Sequence, residues 1–557
     1  VPLALQALLE NPVRQPPLTT PITVSKPLKK LVFATILTVL PVVFIVGMAE
    51  MVLRISGFGH ATTPLLRTGI DGVDYWVGNP DFTRLYFPDA LKRLPSPNRV
   101  PAAKPPSTRR YMMVGGSAAA GDPDPDFSIS RILEWMLSTA NPETGYEVLN
   151  LAYTACNSHV AAEVVRRSEP YDLDGIIVFV GNNEVIGPFG PGTTLTETLP
   201  SPARRDLLIA LRRTRLGQLG QSLRDRLTDL PGEQDNWRGM QHFLEHRIEL
   251  LDPRLEQVYA NYRANLESME REARRQDIPI LLSNVPVNLL DQPPFADGGA
   301  PLPESIRKAI PSYLAAGPEG LPVADEILNR AGGQPDSAWL AYLAGRLLHQ
   351  RGQVAEADAY LKRARDLDQL RFRADSGINS AIVEQWKREG TNWIPVDAAA
   401  PLIADSPSKA LGFPHFFEHV HFSFRANFVI AREMAAALFR HEGIDTGPLD
   451  SMQWTEAALA LAYTPYEVWL SLEEMKRRFA QPPFTSISGF GNLTSWMDIL
   501  REGLLKRISK ADEKEHLNEL YLGALLRRPD DDRLRVNYAN FLMAFGKREA
   551  ACLDPSV

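Results

Sequence analysis

Cysteine is scarce in this chain: Cys156 and Cys552 are the two among 557 residues. They lie too far apart in sequence to suggest a disulfide framework, so the compartment stays open on this evidence. No stretch is dense in lysine or arginine. The 60 basic and 67 acidic residues leave a formal net charge of −7, so nucleic-acid binding has no electrostatic basis. Extremes of composition are absent too. With 44% hydrophobic and 23% charged residues, whole-chain disorder and collagen are excluded. At roughly 150 residues per domain the length allows three or four units, or one large domain with insertions. Pro 45 and Gly 37 predict long loops and linkers.

One long apolar run is present. Residues 1–30 are polar and Pro-rich, with Arg14, Lys26, Lys29 and Lys30, and Leu31–Met48 (LVFATILTVLPVVFIVGM) then carries no charge. A run of about 18 residues is near the length that crosses a bilayer core, and a secretory signal core is shorter. The pattern predicts an uncleaved single-pass anchor over 31–53, kinked but not broken at Pro41. A signal sequence cut after Ala49 and a buried soluble helix are the competing readings. The lysines before the span place the N-terminus in the cytoplasm and the bulk of the chain outside it, in the periplasm for a Gram-negative cell.

Beyond it, residues 54–108 read as a membrane-proximal linker or cap. From residue 110 short β-rich runs alternate with helical stretches: Tyr111–Val114, Ile129–Thr139, Val148–Leu151, Val160–Arg167 and Ile176–Val180, with a helix at 255–276 leading into Ile278–Leu282. Such alternation predicts an α/β fold with a parallel sheet covered on both faces. Residues 335–369 differ in character. Ala344, Gly352, Ala357, Tyr360 and Ala364 fall where a tetratricopeptide repeat wants small and large packing residues. A weaker match lies at 527–551, and a single repeat cannot bury its own face. A generic helical hairpin is the alternative. Residues 451–510 look helical and carry no readable motif.

Chemistry-bearing residues sit at predicted strand ends, where open α/β sheets bind ligands. After YMMV comes Gly115-Gly116-Ser117-Ala118-Ala119-Ala120-Gly121. Small residues there permit a tight strand-to-helix turn that exposes the Ser117 hydroxyl beside free backbone N–H groups. The Lys-Ser/Thr of a phosphate loop is missing, which disfavours nucleotide binding. After VLNL comes Ala152-Tyr153-Thr154-Ala155-Cys156-Asn157-Ser158, and after IIVFV comes Gly181-Asn182-Asn183-Glu184. An Asn183 amide at a strand end can bind an oxygen that gains charge in acyl transfer. Far downstream, His415-Phe416-Phe417-Glu418-His419-Val420-His421 precedes an apolar helix over 426–439. Glu418, three residues before His421, can hold one ring nitrogen and leave the other to take a serine proton.

In this order the four blocks resemble the SGNH (GDSL-like) hydrolase superfamily. The segments AEMVLRISGFG, VGNNEVIGPFG, VPVNLLDQPPF and RARDLDQLRFRADSGINSAI are similar to its membrane-anchored members that carry tetratricopeptide repeats. The resemblance spans most of residues 45–440. It implies a flavodoxin-like three-layer α/β sheet, with hydrolase parts at 109–300 and 396–445. A helical insertion at 301–395 and a C-terminal helical region at 446–557 accompany them. It implies that Ser117 is the nucleophile, His421 the general base and Glu418 its orienting partner. The oxyanion pocket would be the Ser117 N–H, a backbone N–H near Ala155 and the Asn183 side chain, supported by Gly116, Gly181, Asn157 and a structural Glu184. Two departures stand out: Ala155 where the superfamily usually has glycine, and Glu418 where it usually has aspartate.

The resemblance further implies an anchored extracytoplasmic serine esterase acting on O-acyl esters of a glycan or lipid. Such an enzyme needs no cofactor or metal, and a protein partner docks on the repeats. The same residues suit acyl transfer, and a scaffold built on a decayed site is the competing class. Plainer readings remain for single residues. Ser117 alone reads as a helix cap, and Asn183 as a turn residue. His415, His419 and His421 with Glu418 read as a metal cluster that lacks a distant ligand motif. Arg371 and Arg373 bind a substrate anion or solvate a helix end, the latter slightly favoured. Cys156 is a small buried residue or a weak second nucleophile.

Overall fold

The computed structural model describes residues 26–193, 196, 198–228, 239–299, 301–316, 323–333 and 336–546. The N-terminal tail with Arg14, and Cys552, lie outside these residues. Among the described residues two compact units emerge: residues 26–60 with 210–226, and the rest.

In the first unit a helix runs Lys26–Ile55, with Pro41 inside it. Its stretch Leu37–Ile55 is long and apolar enough to cross a membrane. The span runs past the end of the charge-free run and takes in Glu50 and Arg54. Glu50 accepts from Arg54 Nε and from the backbone N–H groups of Arg215 and Leu216, each at 2.9 Å. It thereby caps the helix Arg215–Thr228; free N–H groups at a helix start favour a carboxylate.

The second unit opens on a small antiparallel sheet: β1 (Leu65–Ile70), β2 (Val73–Gly78) and β3 (Arg99–Pro101). Sequence periodicity here reads as linker. The aromatic residues decide otherwise: Phe82, Tyr86 and Phe87 are buried, and Phe82 and Tyr86 meet Tyr153 and Phe189 ring to ring.

The main sheet is parallel and five-stranded. It comprises β4 (Thr108–Gly115), β5 (Gly145–Asn150), β6 (Gly175–Phe179), β7 (Ile280–Ser283) and β8 (Trp393–Val396), in the order β5-β4-β6-β7-β8. This is the 2-1-3-4-5 order of doubly wound flavodoxin-like sheets. Tyr111 on β4 stands opposite Val148 on one side and Gly175 on the other. Every residue of β6 and β7 is buried, so helices cover both faces. Helices Ile129–Ala140 and Phe424–Glu442 pack together, and Ser158–Arg166, Arg254–Arg275 and Ser376–Lys387 form a second group.

The first three residues of β8 and the helix before it fall inside the stretch that the sequence assigns to a helical insertion at 301–395. The sheet therefore resumes earlier than residue 396. A four-residue strand, WIPV with a proline in it, is too short to show a period of two. The repeat-like segment folds as the helix pair Ala338–Gln350 and Val354–Leu367, with Gly352 at φ +78° in the turn. A second pair, Ala511–Arg527 and Asp532–Ala544, is the last among the described residues.

Candidate active site

The strands run parallel, so their C-terminal ends share one edge. β4 ends in Gly115, where an added Cβ would stand 2.1 Å from the Phe179 carbonyl oxygen. Gly116 follows, and Ser117 opens the short helix Ser117–Ala120. An added Cβ on Gly116 would stand 2.8 Å from Asn183 Nδ2 and 3.0 Å from the Cys156 carbonyl oxygen. Glycines are thus required for the serine turn to nest against the next two loops.

The loop after β5 carries Ala155 in the left-handed region, φ +56°. This is the position where the resembled superfamily usually has glycine, and the chain adopts the glycine-type backbone with an alanine. Asn183, after β6, donates from Nδ2 to the Cys156 carbonyl at 3.0 Å. Among the described residues, neither the Ser117 nor the Ala155 backbone N–H has a hydrogen-bond acceptor. Glu184 turns inward instead. It accepts from Ser158 N at 2.8 Å and Ser158 Oγ at 2.7 Å, and burial pushes its carboxyl up to about 7 against those bonds. Asn157 stands at the start of helix Ser158–Arg166 and donates to the Pro188 carbonyl at 2.8 Å. Gly181 lets the chain pass Ile378, whose Cγ2 would lie 2.9 Å from an added Cβ.

The histidine segment 415–422 is a loop pinned by Asn288, whose Nδ2 donates to the Glu418 carbonyl at 3.0 Å and whose N–H donates to the His419 carbonyl at 2.9 Å. Glu418 is buried, and its Oε1 accepts the His421 backbone N–H at 2.8 Å. The same oxygen lies 2.5 Å from His421 Nδ1, and Glu418 Oε2 contacts His419 Nδ1. The His419 ring is enclosed by Phe295, Phe372 and Phe484. Burial, reinforced by His421, Arg373 and Arg478, holds its basicity well below the usual histidine value. His415 turns elsewhere, to Asp405 Oδ2 at 2.6 Å. Among the described residues no three His, Cys, Asp or Glu side chains are grouped to hold a metal.

Ser117, Ala155, Asn183, Glu418 and His421 line one pocket of about 340 Å³. Among the pocket members that sequence reasoning missed are Asp122 and Arg478. Asp122 Oδ2 lies 3.0 Å from His421 Nε2. That contact and the Glu418–Nδ1 contact run off the ring N–H directions, so both are charge contacts rather than hydrogen bonds. The Ser117 hydroxyl is not bonded to the imidazole in this arrangement. Arg478, on the helix Pro465–Phe479, grips Asp122 with Nη1 and Nη2, each at 2.7 Å, and donates from Nε to Glu474 Oε1 at 2.7 Å. Burial alone would raise the Asp122 carboxyl; His421, Arg478 and Arg477 outweigh it and hold it at about 2. Burial lowers His421 to about 4, with Asp122 opposing and Arg478 assisting.

Arg371 and Arg373 take neither of the roles read from sequence. Both are buried. Arg371 donates to the Ile248 and Asp366 carbonyls and to Asp375. Arg373 donates to the Asn288 and Gln292 carbonyls and to Asp368. Their guanidiniums tie loops together, because a buried cation without acceptors would be costly. Cys156 is fully buried, which pushes its thiol above the usual range and leaves no thiolate to attack.

No family model matches the chain, and no curated protein matches it either. Solved structures similar to it include a lipolytic protein of the G-D-S-L family from Desulfitobacterium hafniense DCB-2, at 9% identity and TM-score 0.25, covering 59% of this chain and 98% of that one. An acetylxylan esterase from Geobacillus stearothermophilus matches at 13% identity and TM-score 0.24, over 61% of this chain and 95% of that one. An α/β-hydrolase enzyme from the metagenome of Lake Arreo, Spain, matches at 11% identity and TM-score 0.25, over 62% and 97%.

Proposed function

We infer that this chain is an SGNH-type serine esterase, tethered to the cytoplasmic membrane by its N-terminal helix and working on O-acyl esters outside the cytoplasm. The observation that carries the reading is the convergence of Ser117, His421, Glu418, Ala155 and Asn183 on one pocket, although up to 304 positions separate them in sequence. In the reaction His421 Nε2 takes the Ser117 proton as Oγ bonds the ester carbonyl carbon. The carbonyl oxygen becomes an oxyanion facing the Ser117 and Ala155 N–H groups and the second hydrogen of Asn183 Nδ2. Collapse breaks the bond to the leaving oxygen, which takes the proton from Nε2, and water then releases the acid by the same steps in reverse order. Asp122 must leave Nε2 before Ser117 can use it. The apolar walls Ile186, Met240, Phe243, Phe372 and Phe484 suit an acyl group or the apolar face of a sugar, and a protein partner would dock on the helix pairs.

Fluorophosphonate labelling tests this directly. The intact chain should label, and Ser117→Ala should lose at least about a hundredfold in labelling rate, as expected when the nucleophile is removed. The 3.0 Å contact of Asp122 with Nε2 favours a second reading, a catalytically silent scaffold. A folded wild type that never labels would establish that reading.

A further inference from the structure

The C-terminal helical region lines the pocket with Glu474, Arg477, Arg478, Gln481, Pro482 and Phe484, and of these Arg478 grips the carboxylate beside His421. Asp122 follows Gly121, whose φ of +94° and whose packing against Ser128, 2.3 Å from an added Cβ, exclude a side chain there. This turn delivers the Asp122 carboxyl to His421 Nε2 from one side, while Arg478 grips both its oxygens from the other. Oδ2 is shared between the guanidinium and the imidazole. Around His421 the remaining charged and titratable groups are Glu418 and His419 on its own loop, and Glu474 and Arg477 on the helix Pro465–Phe479. Arg93 completes the lining. Glu474 is engaged by both Arg477 and Arg478, so the charge aimed at Nε2 is that of Asp122.

We propose that Asp122 is a positioning residue that sets how firmly His421 Nε2 holds a proton, and that Arg478 meters that effect from the C-terminal helical region. Two carboxyl groups on opposite ring nitrogens favour the imidazolium, whereas burial and the nearby guanidinium disfavour it. By sharing Oδ2, Arg478 withdraws part of the Asp122 charge from the ring. The helix Pro465–Phe479 is then part of the active centre rather than an appendage. The role in turnover rests on the esterase reading, but the charge coupling does not.

The test is the protonation midpoint of His421, read by NMR of histidine-labelled full-length protein and assigned with His421→Gln. Asp122→Asn, which keeps shape and removes charge, should move the midpoint down by about one unit or more. Arg478→Gln should move it up by a similar amount, as expected for charges at these separations. Should wild-type His421 stay neutral until acid unfolding, an Arg478→Gln protein that titrates above that limit supports the proposal, and one that does not overturns it. Equal midpoints in all three proteins, or shifts of the same sign in both variants, overturn it as well. Arg478→Lys, which keeps the charge but loses the paired grip, guards against a folding defect: its midpoint should stay nearer wild type than that of Arg478→Gln. Absence of fluorophosphonate labelling would sink the esterase reading while leaving these midpoints to decide the coupling.

Discussion

The imidazole of His421 is the residue on which chemistry and pH behaviour meet. Burial, assisted by Arg478 and opposed by Asp122, holds it down to about 4 rather than the usual 6.5. The unfolded chain therefore binds this proton first, so the group's contribution to stability is complete above 6.5 and is lost as pH falls from 6.5 towards 4. Asp122, lowered from 3.8 to about 2, loses its contribution in the next window down. For the reaction, a base that is already neutral at mild acidity should keep fluorophosphonate labelling steady from about pH 8 to about pH 5, with a half-fall near 4. A half-fall at the ordinary histidine value would mean that the imidazole is not held as described. Ala155 offers a separate check. Its left-handed backbone strains an L-residue by about 1 kcal/mol. Ala155→Gly should therefore raise the stability measured by urea unfolding, where a glycine is normally destabilising.

At the scale of elements, the site depends on how a strand end turns into the next loop. Gly116 separates β4 from the Ser117 helix, and no room exists for a Cβ between it, Asn183 and the Cys156 carbonyl. Gly116→Ala should push the serine turn off the Asn183 amide, cutting labelling by about tenfold or more for a misplaced nucleophile, and should cost about 1–3 kcal/mol in urea unfolding through overpacking. A variant that labels like wild type would show that the contact is not needed. The strands β4 to β7 were legible because each is an apolar run beside an amphipathic helix, although residues 180–279 part β6 from β7. β8 was not, having a proline within its four residues, nor was the β1–β3 sheet, whose residues are mostly half-buried or exposed. The helix Pro465–Phe479 lies in a stretch that reads from sequence only as mixed helical, and nothing there marks Arg478 as the residue facing the pocket.

Across the whole second unit, the last helix pair is fastened to the sheet region by charge. Arg131 bonds Asp531 at 2.6 Å, Arg533 bonds Asp126 at 2.5 Å, and Arg528 bonds Glu134 at 3.1 Å. Arg131 and Asp531 are only 11% and 4% exposed, so breaking the pair leaves a buried cation rather than a solvated one. Asp531 also caps its own helix, accepting from Leu534 N at 3.2 Å. Asp531→Ala should cost about 3 kcal/mol in urea unfolding, and a loss under about 0.5 kcal/mol would place that pair among surface pairs of little worth.

The order of the small-residue turn, the GNN strand end and the Glu-x-x-His loop could be read from the chain because each is local: a few neighbouring residues fix a backbone turn and the group it exposes. The alternation of apolar strands with helices was equally local, and so was the apolar N-terminal helix. Placement of Asp122 against Nε2, the grip of Arg478 on Asp122, and the internal use of Arg371 and Arg373 depend on segments up to 356 positions apart. Charge pairing over such separations leaves no periodicity in sequence. Only the packed chain decides which of its 60 basic residues meets which carboxylate.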